Sequence, residues 1–208
     1  MSDPRASDTS SDSPPIPDRP LVHGERTWLR PMEARDLPAY VAAMNDAEVG
    51  GWAGFKWPMS IDQAAEWLKH VNEESQRQRG FFFTICALGD DRFIGTTWLK
   101  DVNLVDGNAE LAIVMDRDHI GSGWGTDAQV ALLDFAFHNV GLVRVHLTAY
   151  VDNRRAIRSY EKLGFRLEGV MRQSWRGPRG LSDNVLMAIL RDEWEERRTA
   201  ELKKSPKR

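Results

Sequence analysis

The sequence predicts one mixed α/β domain built on a single sheet, and three observations carry that expectation. Strand-like and helix-like runs alternate through its middle. The run LVRVHLTAYV (142–151) sets Val143, Val145, Leu147 and Ala149 against Arg144, His146, Thr148 and Tyr150, a period of two. The stretch HIGSGWGTDA places Gly121, Gly123 and Gly125 between the apolar run ELAIVM and the helix-like VALLDFAFHNV. At 208 residues, 41% of them hydrophobic, the chain is long enough for one domain with a proper core and short for two.

Residues 1–20 are rich in Ser, Asp and Pro and bury too little apolar area to offset their ordering entropy, so they are expected to be a disordered leader. TWLR (27–30) reads as a first strand. EARDLPAYVAAMND follows as a helix, with Leu37, Tyr40, Val41 and Met44 at helical spacing. Ser60 and Gln63 form the S-x-x-Q capping-box pattern and open a second helix through Ala64, Trp67, Leu68 and Val71. FFFTICAL and FIGTTWLK flank GDDR as a hairpin. ELAIVM (110–115) is a strand, and a helix over about 126–139 carries Val130, Leu133, Phe137 and Val140. After the period-two strand, a helix from Asn153 ends at Gly164, a residue suited to the left-handed position past a helix end. FRLEGVMR and DNVLMAIL close the sheet, giving a domain over 21–195 and a basic, frayed tail over 196–208.

Composition excludes several function classes. A net charge of −3 with no dominant basic segment in the folded part argues against a nucleic-acid partner. One cysteine, Cys86, allows no internal disulfide and sits in an apolar run as a small hydrophobe. No apolar stretch approaches the ~20 residues that span a bilayer, and no signal-peptide pattern opens the chain. These features lead to an expected cytoplasmic location without membrane partners. No Cys/His cluster or H-E-x-x-H pattern suggests a metal.

The glycine turn has a chemical use. A helix start exposes unpaired N–H groups and partial positive charge, and glycines let the backbone close on an anion. Thr126 follows Gly125 where a Walker loop requires Lys, and the G-x-G-x-G spacing differs from the dinucleotide fingerprint. In NRRAIRSYEKLGF, Asn153, Ala156 and Tyr160 share one helix face.

Together the two motifs, Ile120-Gly121-Ser122-Gly123-Trp124-Gly125 and Asn153 through Tyr160 to Gly164-Phe165, resemble the signature of the GNAT superfamily of acyl-CoA-dependent N-acetyltransferases. TWLRPMEARDLPAYVAAMND and EKLGFRLEGVMR look like the branch holding ribosomal-protein alanine and spermidine N-acetyltransferases, over residues 24–195. The resemblance implies a mostly antiparallel sheet with splayed central strands and acetyl-CoA as cosubstrate. It places the amides of Gly121, Ser122, Gly123, Trp124, Gly125 and Thr126 around the pyrophosphate. The strand edge at Val114 and Met115 would meet the pantetheine arm, and Asn153 would hydrogen-bond its amide. Tyr160 takes the general-acid position and the backbone near Met115 the oxyanion role. Glu110 matches a base for the amine, or is a strand-end charge facing solvent.

The implied acceptor is a primary amine, either a small molecule or a protein N-terminus, and many relatives pair as homodimers. One departure stands out: Ile120 replaces the family's usual Gln or Arg, leaving Arg117, His119 or Arg155 to supply charge. His119 and His146 are weaker candidates for the base. Asp46 and Glu48 either attract a cationic amine or lie in a solvated loop. Trp52, Phe55 and Trp57 either wall the acceptor pocket or cover the core edge, and Trp175 and Arg176 lie where relatives shape the acceptor site. The competing reading is a regulatory module that binds acyl-CoA without catalysis.

Overall fold

A computed structural model gives the fold and describes residues 16–54, 57–177 and 180–204. The first fifteen residues of the expected leader and Phe55 lie outside them. Thirteen main elements follow in order: β1 (Thr27–Pro31), α1 (Leu37–Asn45), α2 (Val49–Trp52), α3 (Ile61–Gln76), β2 (Phe81–Ala87), β3 (Phe93–Asn103), β4 (Asn108–Met115), α4 (Trp124–Asp134), β5 (Arg144–Tyr150), α5 (Arg154–Leu163), β6 (Arg166–Gly177), β7 (Gly180–Leu190) and α6 (Arg191–Lys204). Helix α4 runs on into a π-helical turn, Phe135–Val140, which ends at Gly141 with φ of 86°. Among the described residues no helix is long and apolar enough to cross a membrane.

The strands form one sheet in the order β1-β2-β3-β4-β5-β7-β6. Every neighbouring pair is antiparallel except β4 and β5. That parallel pair is short: only Asn108, Ala109 and Glu110 match Arg144, Val145 and His146. Beyond it β4 continues to Met115 and β5 to Tyr150 without pairing, so the middle of the sheet forks.

Strand alternation divides the interior into two cores. One core joins Leu99, Leu111, Leu132, Leu147, Met187 and Trp194 beneath α4, α5 and α6. The other joins Leu37, Tyr40, Met44, Leu68, Phe82 and Val114 under α1, α2 and α3. Helix α3 starts where the capping box requires: Gln63 N–H donates to Ser60 Oγ (3.2 Å) and Ser60 N–H to Gln63 Oε1 (2.9 Å). Under β1, Arg30 meets Asp36 through two bonds of 2.7 and 2.8 Å and Asp91 at 2.5 Å. Burial works against the Asp36 charge, but Arg30, the Glu33 N–H and the Thr84 hydroxyl outweigh it and hold this carboxyl below its ordinary value.

Two expectations need correction. Val143 lies before β5 and is 50% exposed, because its N–H bonds Gly107 in the turn that opens β4, which takes it out of the strand's inward row. Residues 196–204 of the expected frayed tail are helical, since α6 extends to Lys204. Trp194 anchors that helix, fully buried, with its Nε1–H donating to Asp134 Oδ1 at 2.8 Å. Arg198 joins the same carboxylate at 3.1 Å, and Arg197 pairs with Glu201 one turn on.

Candidate active site

The fork between β4 and β5 opens into a cavity of about 750 Å³, within the usual range for a small-molecule site. Its lining joins β4, the glycine turn, the first turns of α4 and α5, and side chains from α2, β6 and β7. The turn explains its glycines. Gly121 and Gly123 have φ of 82° and 89°, left-handed values that disfavour any side chain, and Gly123 caps α4. Gly125 is already helical, but a Cβ there would stand 3.2 Å from Met115 Sδ, so the third glycine lets α4 approach β4. The N–H groups of the first turn of α4 therefore open at the end of the fork.

A long-range clamp sets this helix start. Asp127, in the first turn of α4, accepts bonds from the N–H groups of Glu25 (2.9 Å), Arg26 (3.1 Å) and Thr27 (2.8 Å) and from Thr27 Oγ1 (2.6 Å). The clamp brings Arg26 to the turn. Its guanidinium donates to the Ser122 carbonyl at 3.1 Å and stacks 4.1 Å above the Trp124 ring. Ser122 and Trp124 thus hold the outside of the turn, while Gly121, Gly123, Gly125 and Thr126 line the cavity. Thr126 Oγ1 also meets Ser159 Oγ at 3.1 Å and ties α4 to α5.

The β3–β4 register decides which backbone groups face the fork. Asp116 N–H bonds Ile94 O, so alternation gives the backbone of Ala112 and Val114 to β3 and turns that of Ile113 and Met115 outward. Met115 and Ile113 thus turn their backbone groups to the fork, whereas those of Val114, expected beside Met115, are taken up by β3. Val114 is also a lining residue of the cavity and packs in the α1–α3 core.

Asn153 lines the cavity and caps α5, its Oδ1 accepting the Ala156 N–H at 3.2 Å. Its Nδ2 is the group left to face a ligand. Seven residues on, Tyr160 reaches the same cavity, 8% exposed and packed edge-on against Phe165 at 5.9 Å. Burial pushes its phenol up to about 12, opposed by the neighbouring Gln129 amide. Gln129 is 2% exposed and its Oε1 meets no donor. Sequence reading passed over Gln129, although a glutamine amid the apolar run of α4 was a signal.

Glu110 stands at the crotch of the fork, opposite His146 in the parallel pair. It lines the cavity, but Lys100 Nζ holds its carboxylate at 3.1 Å. Arg117 is taken up by Asp46 (3.0 Å) and Glu48 (3.7 Å), so neither these acids nor this arginine stands free. Asp46 instead caps α2 through the N–H groups of Glu48 and Val49. His119 pairs with Asp116 at 3.0 Å, and Arg155 and Arg158 line the cavity on α5. Ile120 packs against the α1–α3 core and pegs the turn to it. Trp52 and Trp175 line the cavity; Trp57 is 81% exposed and does not.

This geometry has close relatives. The family model for the acetyltransferase (GNAT) domain matches residues 26–166. The spermidine N(1)-acetyltransferase of Escherichia coli K12 is 30% identical over 151 residues, covering 72% of this chain and 77% of that protein. Among solved structures, the spermidine N-acetyltransferase of Vibrio cholerae in complex with CoA and spermine superposes with a TM-score of 0.74 at 23% identity, covering 81% of this chain and 98% of that one. Mycobacterium smegmatis RimJ in complex with CoA-disulfide gives 0.73 at 22% identity, covering 80% of this chain and 83% of that one. With the forked sheet and the glycine turn between β4 and α4, these matches make the chain a member of the GNAT family, an acetyl-CoA-dependent N-acetyltransferase.

Proposed function

We propose that the forked cavity binds acetyl-CoA and transfers its acetyl group to a primary amine, with Tyr160 as general acid. The observation that supports this most is the placement of Tyr160, buried and protonated, in one cavity with the left-handed glycines at the start of α4. The residues present fit the cosubstrate. The backbone of Gly121 through Thr126 would hold the pyrophosphate, with Arg155 and Arg158 supplying charge that Ile120 does not. Met115 and Ile113 offer unpaired backbone edges to an amide-bearing arm, and Asn153 Nδ2 adds a donor. Gln129 Oε1, buried without a donor, is an acceptor for an N–H of that arm.

Bound acetyl-CoA supplies an activated thioester. The Met115 N–H, turned into the fork, stabilises negative charge on the acyl oxygen. Tyr160 holds its proton throughout the working range and delivers it to the departing sulfur, and the Gln129 amide eases that ionisation. Glu110, paired with Lys100, orients the amine or the water that takes its proton. In balance, a C–N bond forms, the C–S bond breaks, and one amine proton ends on sulfur.

Two of the relatives are named for spermidine, and the acceptor here is a primary amine of a small molecule or of a protein N-terminus. The reading keeps the expected cytoplasmic location and pairing into a homodimer, which sedimentation checks. A non-catalytic acyl-CoA module is disfavoured by Tyr160 and Glu110 lining one cavity. Thiol release from acetyl-CoA with an amine panel tests the reading. Tyr160→Phe is expected to lower kcat by about 10²-fold or more, with acetyl-CoA affinity unchanged; an undiminished rate would remove Tyr160 from the chemistry.

A further inference from the structure

The acceptor side of the cavity is walled by rings rather than by carboxylates. Trp52 lies edge-on to Tyr150 with centroids 5.7 Å apart, and Tyr150 edge-on to Trp175 at 6.1 Å. All three line the cavity. Gly54 is part of this arrangement: its φ is 86°, and a Cβ would fall 2.4 Å from Trp175 Cζ2. Across the β5–β7 ladder from Tyr150 stands Asn184, 5% exposed, lining the same cavity, with an Oδ1 that meets no donor. Burying such an oxygen unpaired is costly, and native interiors leave few of them, so it marks a place for a ligand N–H.

The charges in the lining point the same way. Among the described residues Glu110 is the one carboxylate of the lining, and Lys100 already pairs with it, while Arg155 and Arg158 belong to the cosubstrate side. A polyamine would carry its second and third ammonium groups into a lining without a spare carboxylate, losing hydration for no partner. One ammonium needs only ring faces and one acceptor oxygen.

We propose that the acceptor is a primary monoamine with an apolar or aromatic body, held by Trp52, Tyr150 and Trp175 while Asn184 Oδ1 accepts a hydrogen bond from its nitrogen. This rests on the acetyltransferase reading above. Full-length protein, with and without saturating CoA, is titrated with phenethylamine and separately with spermidine, read by tryptophan fluorescence. Phenethylamine is expected to bind about tenfold tighter than spermidine. Asn184→Leu should weaken phenethylamine by about tenfold while leaving the calorimetric CoA affinity and the melting curve near wild type. Asn184→Asp, which adds a carboxylate, should instead raise spermidine affinity, so the oxygen's role stays testable if the leucine variant misfolds. Spermidine binding as tightly as phenethylamine, or variants with unaltered amine affinities, would overturn the proposal. CoA binding without a monoamine preference overturns this inference alone, whereas failure to bind CoA overturns the acetyltransferase reading.

Discussion

Tyr160 and Arg26 illustrate what single residues contribute and how differently they could be read beforehand. Tyr160 shares a helix face with Asn153 and Ala156, a local spacing that the sequence displays directly. Arg26 reaches the glycine turn from 96 residues away, and nothing in its own neighbourhood announces that. Its bond to the Ser122 carbonyl and its stack on Trp124 brace the outside of the turn. Arg26→Ala is expected to weaken acetyl-CoA binding by about three- to tenfold in a calorimetric titration, with the melting temperature nearly unchanged. An unaltered affinity would show that the turn holds itself. The Lys100–Glu110 pair was equally invisible, since it depends on packing between separate elements.

At the level of elements, boundaries set by local chemistry were legible and those set by pairing were not. The capping box at Ser60 starts a helix and the left-handed Gly164, with φ of 101°, stops one where the sequence places them. The choice between Val114 and Ile113 as the open edge follows from the register of β4 on β3, which the sequence of β4 alone does not contain. Helix α5 gives a separable test of Asn153, which both caps and faces the cavity. Asn153→Ala should cost about 1 kcal/mol in chemical denaturation and weaken acetyl-CoA binding. Asn153→Asp keeps a capping oxygen and loses the Nδ2 donor, so stability should hold while binding weakens. Equal effects of both variants on stability would deny the cap.

For the whole molecule, the mixed α/β class and the motif-bearing helices were readable, while the fork at Glu110 and His146 came to the sequence only through family resemblance. Stability across the sheet depends on charges buried under β1. The Asp36 carboxyl is held below its ordinary value by Arg30. That contribution is therefore complete above the unfolded pKa of about 3.9, and is lost as pH falls through the lower folded value. Asp36→Asn should lower stability at neutral pH by about 3 kcal/mol and flatten the acid side of the stability profile. Tyr160 has the opposite sign: with its phenol raised to about 12, its contribution is complete below the unfolded pKa of about 10 and is lost as pH rises from there through the folded value. It gives the rate no descending limb up to pH of about 10.

The forked cavity's binding of acetyl-CoA is tested most directly by calorimetric titration of the purified protein with that compound, beside Gly123→Val. Gly123 has φ of 89° and faces the cavity, so valine would strain the turn. Binding near ~1 μM that collapses in the variant, while the variant still melts cooperatively, is the expected result. No heat of binding up to about 1 mM acetyl-CoA would contradict it, and would leave a GNAT fold without its cosubstrate.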